Sequence, residues 1–106
     1  GLELSIFVTE EAGLGTGIGS DAVDAALDFV FGSYETERVW LTTERDNARA
    51  VRAFEKSGFQ IDGTVRHHFR REGRWRDSAL MAITRGDWET LERPRSWQLS
   101  AREADV

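Results

Sequence analysis

Apolar and polar positions alternate from the third residue. Leu4, Ile6 and Val8 share one parity, with Glu3, Ser5 and Phe7 on the other, which predicts a strand over residues 3–9 with one fully apolar face. The alternation stops at Thr9. From Val23 the spacing changes: Val23, Ala26, Leu27, Val30 and Phe31 fall at i, i+3, i+4, i+7 and i+8, the stripe of a helix that Ser20 and Asp21 open and Gly32 ends. Arg38–Thr43 is rich in strand formers. Asp46 or Asn47 opens a second helix, with Ala48, Val51 and Phe54 inward, Lys56 in the last turn and Gly58 as its stop. Residues 60–71 read as a third strand, Glu72-Gly73 as a tight turn, and residues 74–83 as the returning strand. A short helical turn near Trp88 and then a loose tail around Pro94 complete the pattern.

Strand, helix and strand over so short a span predict a βαβ unit with the two strands parallel. The expected fold class is mixed α/β, or α+β: this unit, then a helix and an antiparallel hairpin. A chain of 106 residues forms one domain with a modest core. No apolar run approaches the ~18 residues of a membrane span, and no signal peptide is visible, so no membrane partner is expected. The absence of cysteine excludes disulfides, thiolate metal sites and a cysteine nucleophile, and fits a cytoplasmic protein. A net charge of -5 disfavours general nucleic-acid binding.

Between strand and helix, Gly13, Gly15, Gly17 and Gly19 alternate with Leu14, Thr16 and Ile18 and run into Ser20. Closely spaced glycines let several N–H groups turn toward one point, and a helix N-terminus adds unpaired N–H groups and partial positive charge. The stretch is a candidate phosphate seat; a glycine-rich turn that binds nothing is the plainer alternative. It is not a P-loop, because no Gly-Lys pair follows, and both Gly-x-Gly-x-x-Gly frames fail, at Ile18 and at Ser20.

The loop resembles the pyrophosphate loop of the GNAT superfamily of acyl-CoA-dependent N-acetyltransferases. Leu14-Gly15-Thr16-Gly17-Ile18-Gly19 fits the Arg/Gln-x-x-Gly-x-Gly/Ala pattern except at Leu14. A second motif stands at the expected separation: Asn47, Ala50 and Val51, Phe54-Glu55-Lys56, then Gly58-Phe59. The hairpin, with Glu72 to Asp77 and Met81, is similar to the branch containing spermidine and ribosomal-protein acetyltransferases. The resemblance covers residues 3 to about 84. It implies a partial GNAT domain over 1–85, the acyl-CoA-binding half with its N-terminal strands missing, followed by a C-terminal tail over 86–106. The strand at 3–9 would then be a sheet edge, left bare in a fragment or covered by a homodimer mate or another chain.

The resemblance also implies a site. Acetyl-CoA would be the cosubstrate, with its arm between two splayed parallel strands. Backbone groups of Ile6, Phe7 and Val8 would bond the arm. Amides of the loop, Leu14, Gly15, Thr16, Gly17, Ile18, Gly19 and Ser20, would hold the diphosphate. Asn47 and Phe54 would meet the arm from the second helix, although Asn47 also reads as an ordinary N-cap. The acceptor would be an amine, on a small molecule or a protein N-terminus. Glu3 is the candidate base, acting through water; the alternative is an exposed strand-end carboxylate. Phe54 stands where many relatives carry a tyrosine that protonates the leaving thiolate, and it cannot donate.

His67 and His68 are adjacent strand residues, so at most one is expected to point inward. Neither has metal-ligand partners at suitable spacing. Arg66, Arg70, Arg71, Arg74 and Arg76, with Phe69 and Trp75, make a basic aromatic hairpin, read either as a solvated face or as a surface for RNA or an acidic partner. Three functions compete: an N-acetyltransferase, a non-catalytic acyl-CoA-binding or assembly module, and an RNA-contacting module using the hairpin.

Overall fold

The structure, a computed structural model, describes residues 2–5, 19–95 and 97. The elements are β1 (Leu2–Ser5), α1 (Gly19–Ser33), β2 (Thr36–Glu44), α2 (Ala48–Lys56), β3 (Gln60–Arg71), β4 (Arg74–Thr84) and α3 (Arg85–Glu89). The strands form one sheet in the order β1-β2-β4-β3. β1 pairs with β2 in parallel, Glu3 opposite Arg38, Leu4 opposite Val39 and Ser5 opposite Trp40. The βαβ unit expected from the sequence is therefore present, and β1 is the edge of the described sheet.

Period-two burial along β2 sets the core. Val39 and Leu41 are buried on one face and stand opposite Ile83 and Met81 of β4, while Thr43 stands opposite Ala79. Leu27, Val30 and Phe31 of α1, Ala50, Val51 and Phe54 of α2, and Trp88 of α3 join the same cluster, so all three helices cover this face. Burying each of these large side chains stabilises by about 1.5–3 kcal/mol. Trp40, Thr42, Glu44, Ser78, Leu80 and Ala82 alternate onto the other face.

The stop of α2 explains why its sequence ends Phe-Glu-Lys-Ser-Gly-Phe. Gly58 takes φ +108°, which a side chain would resist. Its N–H donates to Glu55 O at 3.0 Å, and the Phe59 N–H reaches back to Phe54 O at 3.0 Å. This is a Schellman stop, and its apolar contact is the edge-to-face pair of Phe54 and Phe59, 5.6 Å between ring centres.

The end of α1 departs from the expectation. The helix runs to Ser33, one residue past Gly32. A distant side chain holds the turn out of the helix: the Arg85 guanidinium donates to Phe31 O in the last turn at 2.9 Å, to Tyr34 O, and to Thr36 O at the start of β2 at 3.0 Å. At Gly32 a Cβ would come within 3.1 Å of the Trp97 ring, so the small residue provides room rather than a stop.

The segment after α3 also differs from the loose tail expected. Thr84 and Asp87 form a reciprocal capping box that starts α3. Trp88 stacks on Phe31 at 5.4 Å, and its indole N–H donates to Asp28 Oδ1 at 2.9 Å. Asp28 is 1% exposed although it lies within α1 as a charged residue. Arg93 grips both its oxygens, at 2.9 and 3.0 Å, and lies 3.8 Å from Asp24. Burial opposes the Arg93 charge, but its hydrogen bond to Asp28 and the fields of Asp24 and Asp28 outweigh that and raise its pKa above the ordinary value. Arg95 lies over the Trp88 ring at 4.6 Å and donates to Trp88 O at 2.6 Å. Trp88 and Arg93 therefore tie this segment to α1, and Arg95 fastens onto α3.

Removing Asp28 leaves Arg93 and the Trp88 N–H facing a buried void. Asp28→Ala should lower stability by about 3–5 kcal/mol in urea unfolding; a loss below about 1 kcal/mol would mean the network does not bind α1 to the segment after α3. Gly58→Ala should cost more than about 1 kcal/mol, since its Cβ would meet Ile83 Cδ1 at 2.9 Å at a backbone angle disfavouring it.

Candidate functional site

The parallel pair fixes where a cofactor could enter. α1 follows β1 and α2 follows β2, and the two strands run the same way. Both helices cover one face, so both N-termini lie along the same sheet edge, beyond the C-terminal ends of β1 and β2. Gly19 and Ser20 are the first residues of α1. Their amides are among the four that a helix leaves without an internal acceptor, at the positive end of its dipole. Ile6, Phe7, Val8, Leu14, Gly15, Thr16, Gly17 and Ile18 lie outside the described residues. Glu3 sits in β1 opposite Arg38.

Asn47 is the N-cap of α2. Its Oδ1 accepts the Ala50 N–H at 3.1 Å, and its own N–H donates to Glu44 O at 3.0 Å. The cap closes the turn that carries the chain from β2 into α2. Phe54 is fully buried against Phe59 and the sheet. A phenyl ring there supplies packing and no proton.

Glu44 ends β2 at the same edge. Its side chain is 9% exposed and is held by Arg71 at 2.7 Å and Arg76 at 3.7 Å. This pairing brings the hairpin arginines against β2, which sequence spacing alone did not suggest. Asp28, Arg85 and Arg93 were equally missed. Their long-range partners stand 49 to 69 positions away, so no local pattern could announce them.

Neither histidine is buried, in line with at most one pointing inward, but the strand around them is not regular. Val65 pairs with Ser78 and Phe69 with Arg76, so Arg66, His67 and His68 stand against Asp77 alone. In this bulge His67 takes φ +50°, and alternation fails. His67 stacks on Trp75, and His68 Nδ1 lies 2.7 Å from Ser78 Oγ. Among the described residues, no group of three or more His, Asp or Glu side chains is placed to hold a metal ion. No described helix is long and apolar enough to cross a membrane.

Fold and edge together define a mixed α+β domain built on one βαβ unit, with two helix N-termini at the mouth of its parallel strands. The Acetyltransferase (GNAT) domain model matches residues 1–60, and the chain belongs to that family. It is 27% identical over 81 residues to the spermidine N(1)-acetyltransferase of Escherichia coli K12, a match covering 76% of this chain and 43% of that one. It is 36% identical over 52 residues to an aminoglycoside N(6')-acetyltransferase type 1 of Klebsiella pneumoniae, 49% of this chain and 26% of the relative. Among solved structures, a chimera of the Vibrio cholerae spermidine N-acetyltransferase SpeG superposes with a TM-score of 0.67 at 26% identity, covering 72% of this chain and 46% of that one. The V. cholerae enzyme in complex with CoA and spermine shares the fold, with a TM-score of 0.68 at 24% identity, over 81% of this chain and 53% of that one. The chain spans about half the length of the relatives it matches, or less.

The cap can be separated from any ligand role. Asn47→Ala should lower stability by about 1 kcal/mol and Asn47→Asp by no more than a few tenths, because aspartate caps equally well. Urea melts of the two variants check this, and equal losses would show that Asn47 contributes something other than its cap.

Proposed function

We propose that the chain is the acyl-CoA-binding half of an N-acetyltransferase, spanning residues 1–85, with residues 86–106 as a following tail whose first part braces α1. The carrying observation is the parallel pairing of β1 with β2, from whose ends α1 and α2 both start. Acetyl-CoA is the cosubstrate in this reading. Its arm lies where β1 and β2 diverge, bonded by backbone groups of Ile6, Phe7 and Val8. The amides from Leu14 to Ser20 converge on its diphosphate, and the α1 dipole adds to their field. Asn47 and Phe54 border the arm from α2.

The acceptor is an amine, consistent with relatives named for spermidine and an aminoglycoside. A free alkylamine has a pKa of about 10, so it must lose a proton before attacking the thioester carbon. Glu3, acting through water, takes that proton. A β1 backbone N–H stabilises the oxyanion as it forms. The leaving thiolate is protonated by solvent, because Phe54 has no hydroxyl. The open edge of β1 takes another strand, from a preceding segment of a longer protein, a second copy or a partner chain.

Phe54 also favours a second reading, a non-catalytic acyl-CoA-binding module, since it is buried and cannot act as an acid. Thiol release from acetyl-CoA with a panel of amines separates the two: turnover supports the enzyme, binding without turnover the module. Calorimetry with acetyl-CoA tests what they share. The wild-type chain should bind, and Gly17→Asp should abolish binding by setting a carboxylate against the diphosphate. Equal affinity in that variant would remove the loop from the site.

A further inference from the structure

The outer half of the β3–β4 hairpin opposes the rest of the chain in charge. Residues 66–76 hold five arginines and one glutamate in a chain of net charge -5. β4 leaves β2 at Ser78, opposite Glu44, and the Arg45 N–H donates to Asp77 O at 2.8 Å. The arm therefore projects past the C-terminal end of β2, the end toward which β1 runs and from which both helices start. An acceptor approaching the forked strands passes beside it.

The arm is organised. The His67 N–H donates to Asp77 Oδ1 at 2.9 Å, which holds the bulge. The His67 ring lies 6.2 Å from the Trp75 ring and 15° from parallel. The Arg70 guanidinium lies 5.6 Å from the same ring and donates to Gly73 O at 3.0 Å. Trp75 is 55% exposed. Arg66 and Arg74 are exposed and make no ion pair among the described residues.

The carboxylates here are mostly committed. Glu44 is nearly buried between Arg71 and Arg76. Glu72 lies 3.7 Å from Arg76, and Asp77 accepts from His67. Asp46 is the exposed acid that remains beside the turn into α2. A polyamine needs several free carboxylates, and it would meet a cationic rim instead. With His67 and Arg70 both against its ring, Trp75 offers a charged rim to carboxylates more than an open face to a nucleobase. The acidic remainder of the chain further disfavours a phosphodiester strand.

Resting on the acetyltransferase reading, we propose that this hairpin docks an acid-rich polypeptide segment whose terminal amine is the acceptor, and that it rejects polyamines. Fluorescence anisotropy on the 106-residue chain compares short acid-rich, neutral and lysine-rich peptides and a short single-stranded RNA, with spermidine as competitor. The acid-rich peptide should bind about tenfold tighter than the neutral one, and less tightly as salt rises. The double variant Arg66→Glu/Arg74→Glu should erase that preference without moving the melting temperature, because both residues are exposed and make no ion pair among the described residues. With acetyl-CoA added, the acid-rich peptide should be acetylated with higher kcat/KM than spermidine.

Preference for spermidine, for the lysine-rich peptide or for RNA overturns the proposal, as does a preference that survives charge reversal. If no amine turns over, the binding comparison alone decides. Acetyl-CoA binding without peptide preference overturns the arm and leaves the parent reading intact. Arginine-dependent docking without acetyl-CoA binding overturns the parent reading and the acceptor role with it.

Discussion

The parallel pairing of β1 with β2 is the constraint on which the remaining structure turns. Two parallel neighbours need a crossover, and α1 provides it on the face where Val39 and Leu41 are apolar. Once the strands run the same way, α1 and α2 must both begin at one edge of the sheet. Two helix N-termini side by side concentrate unsatisfied amides there. An antiparallel β1 would end at the opposite edge and need no crossover helix starting beside α2.

A second set of interactions holds α1 in place. Arg85 takes the Phe31 carbonyl in its last turn and the Thr36 carbonyl of β2, while Asp28 joins its middle to Trp88 and Arg93. A carboxylate that is 1% exposed survives only because a bidentate guanidinium and an indole N–H replace its water. The segment after β4 thus acts as a brace for the helix whose N-terminus faces the candidate diphosphate site. Motion of α1 would shift those amides, so the brace links the packing of α3 to the proposed binding step.

The hairpin concentrates positive charge in an acidic chain whose fold is shared with spermidine N-acetyltransferases. Arg71 and Arg76 pair with Glu44, whereas Arg66 and Arg74 are exposed and Arg70 lies over Trp75. The bulge at 66–68 shifts the β3 register, after which Phe69 pairs with Arg76 and Arg71 with Arg74. Fold likeness therefore does not carry acceptor identity with it.

Local periodicity and end signals were enough to determine most of the element plan. The alternation that opens β1, the stripe from Val23 to Phe31, the Asn47 cap, the Gly58 stop and the Glu72-Gly73 turn each depend on residues within a few positions of one another. Backbone preference and side-chain spacing act at that range, so those features were legible, and the paired motifs pointed to the family. Tertiary structure alone decided that Gly32 makes room for Trp97, that Arg85 ends α1, that His67 leaves the strand pattern, and that Asp28 is buried with Arg93. Each of these joins groups distant in sequence, through contacts that exist only after the sheet and its helices have packed. A charged residue on a helix reads as solvent-facing until the chain supplies a counter-charge from far away.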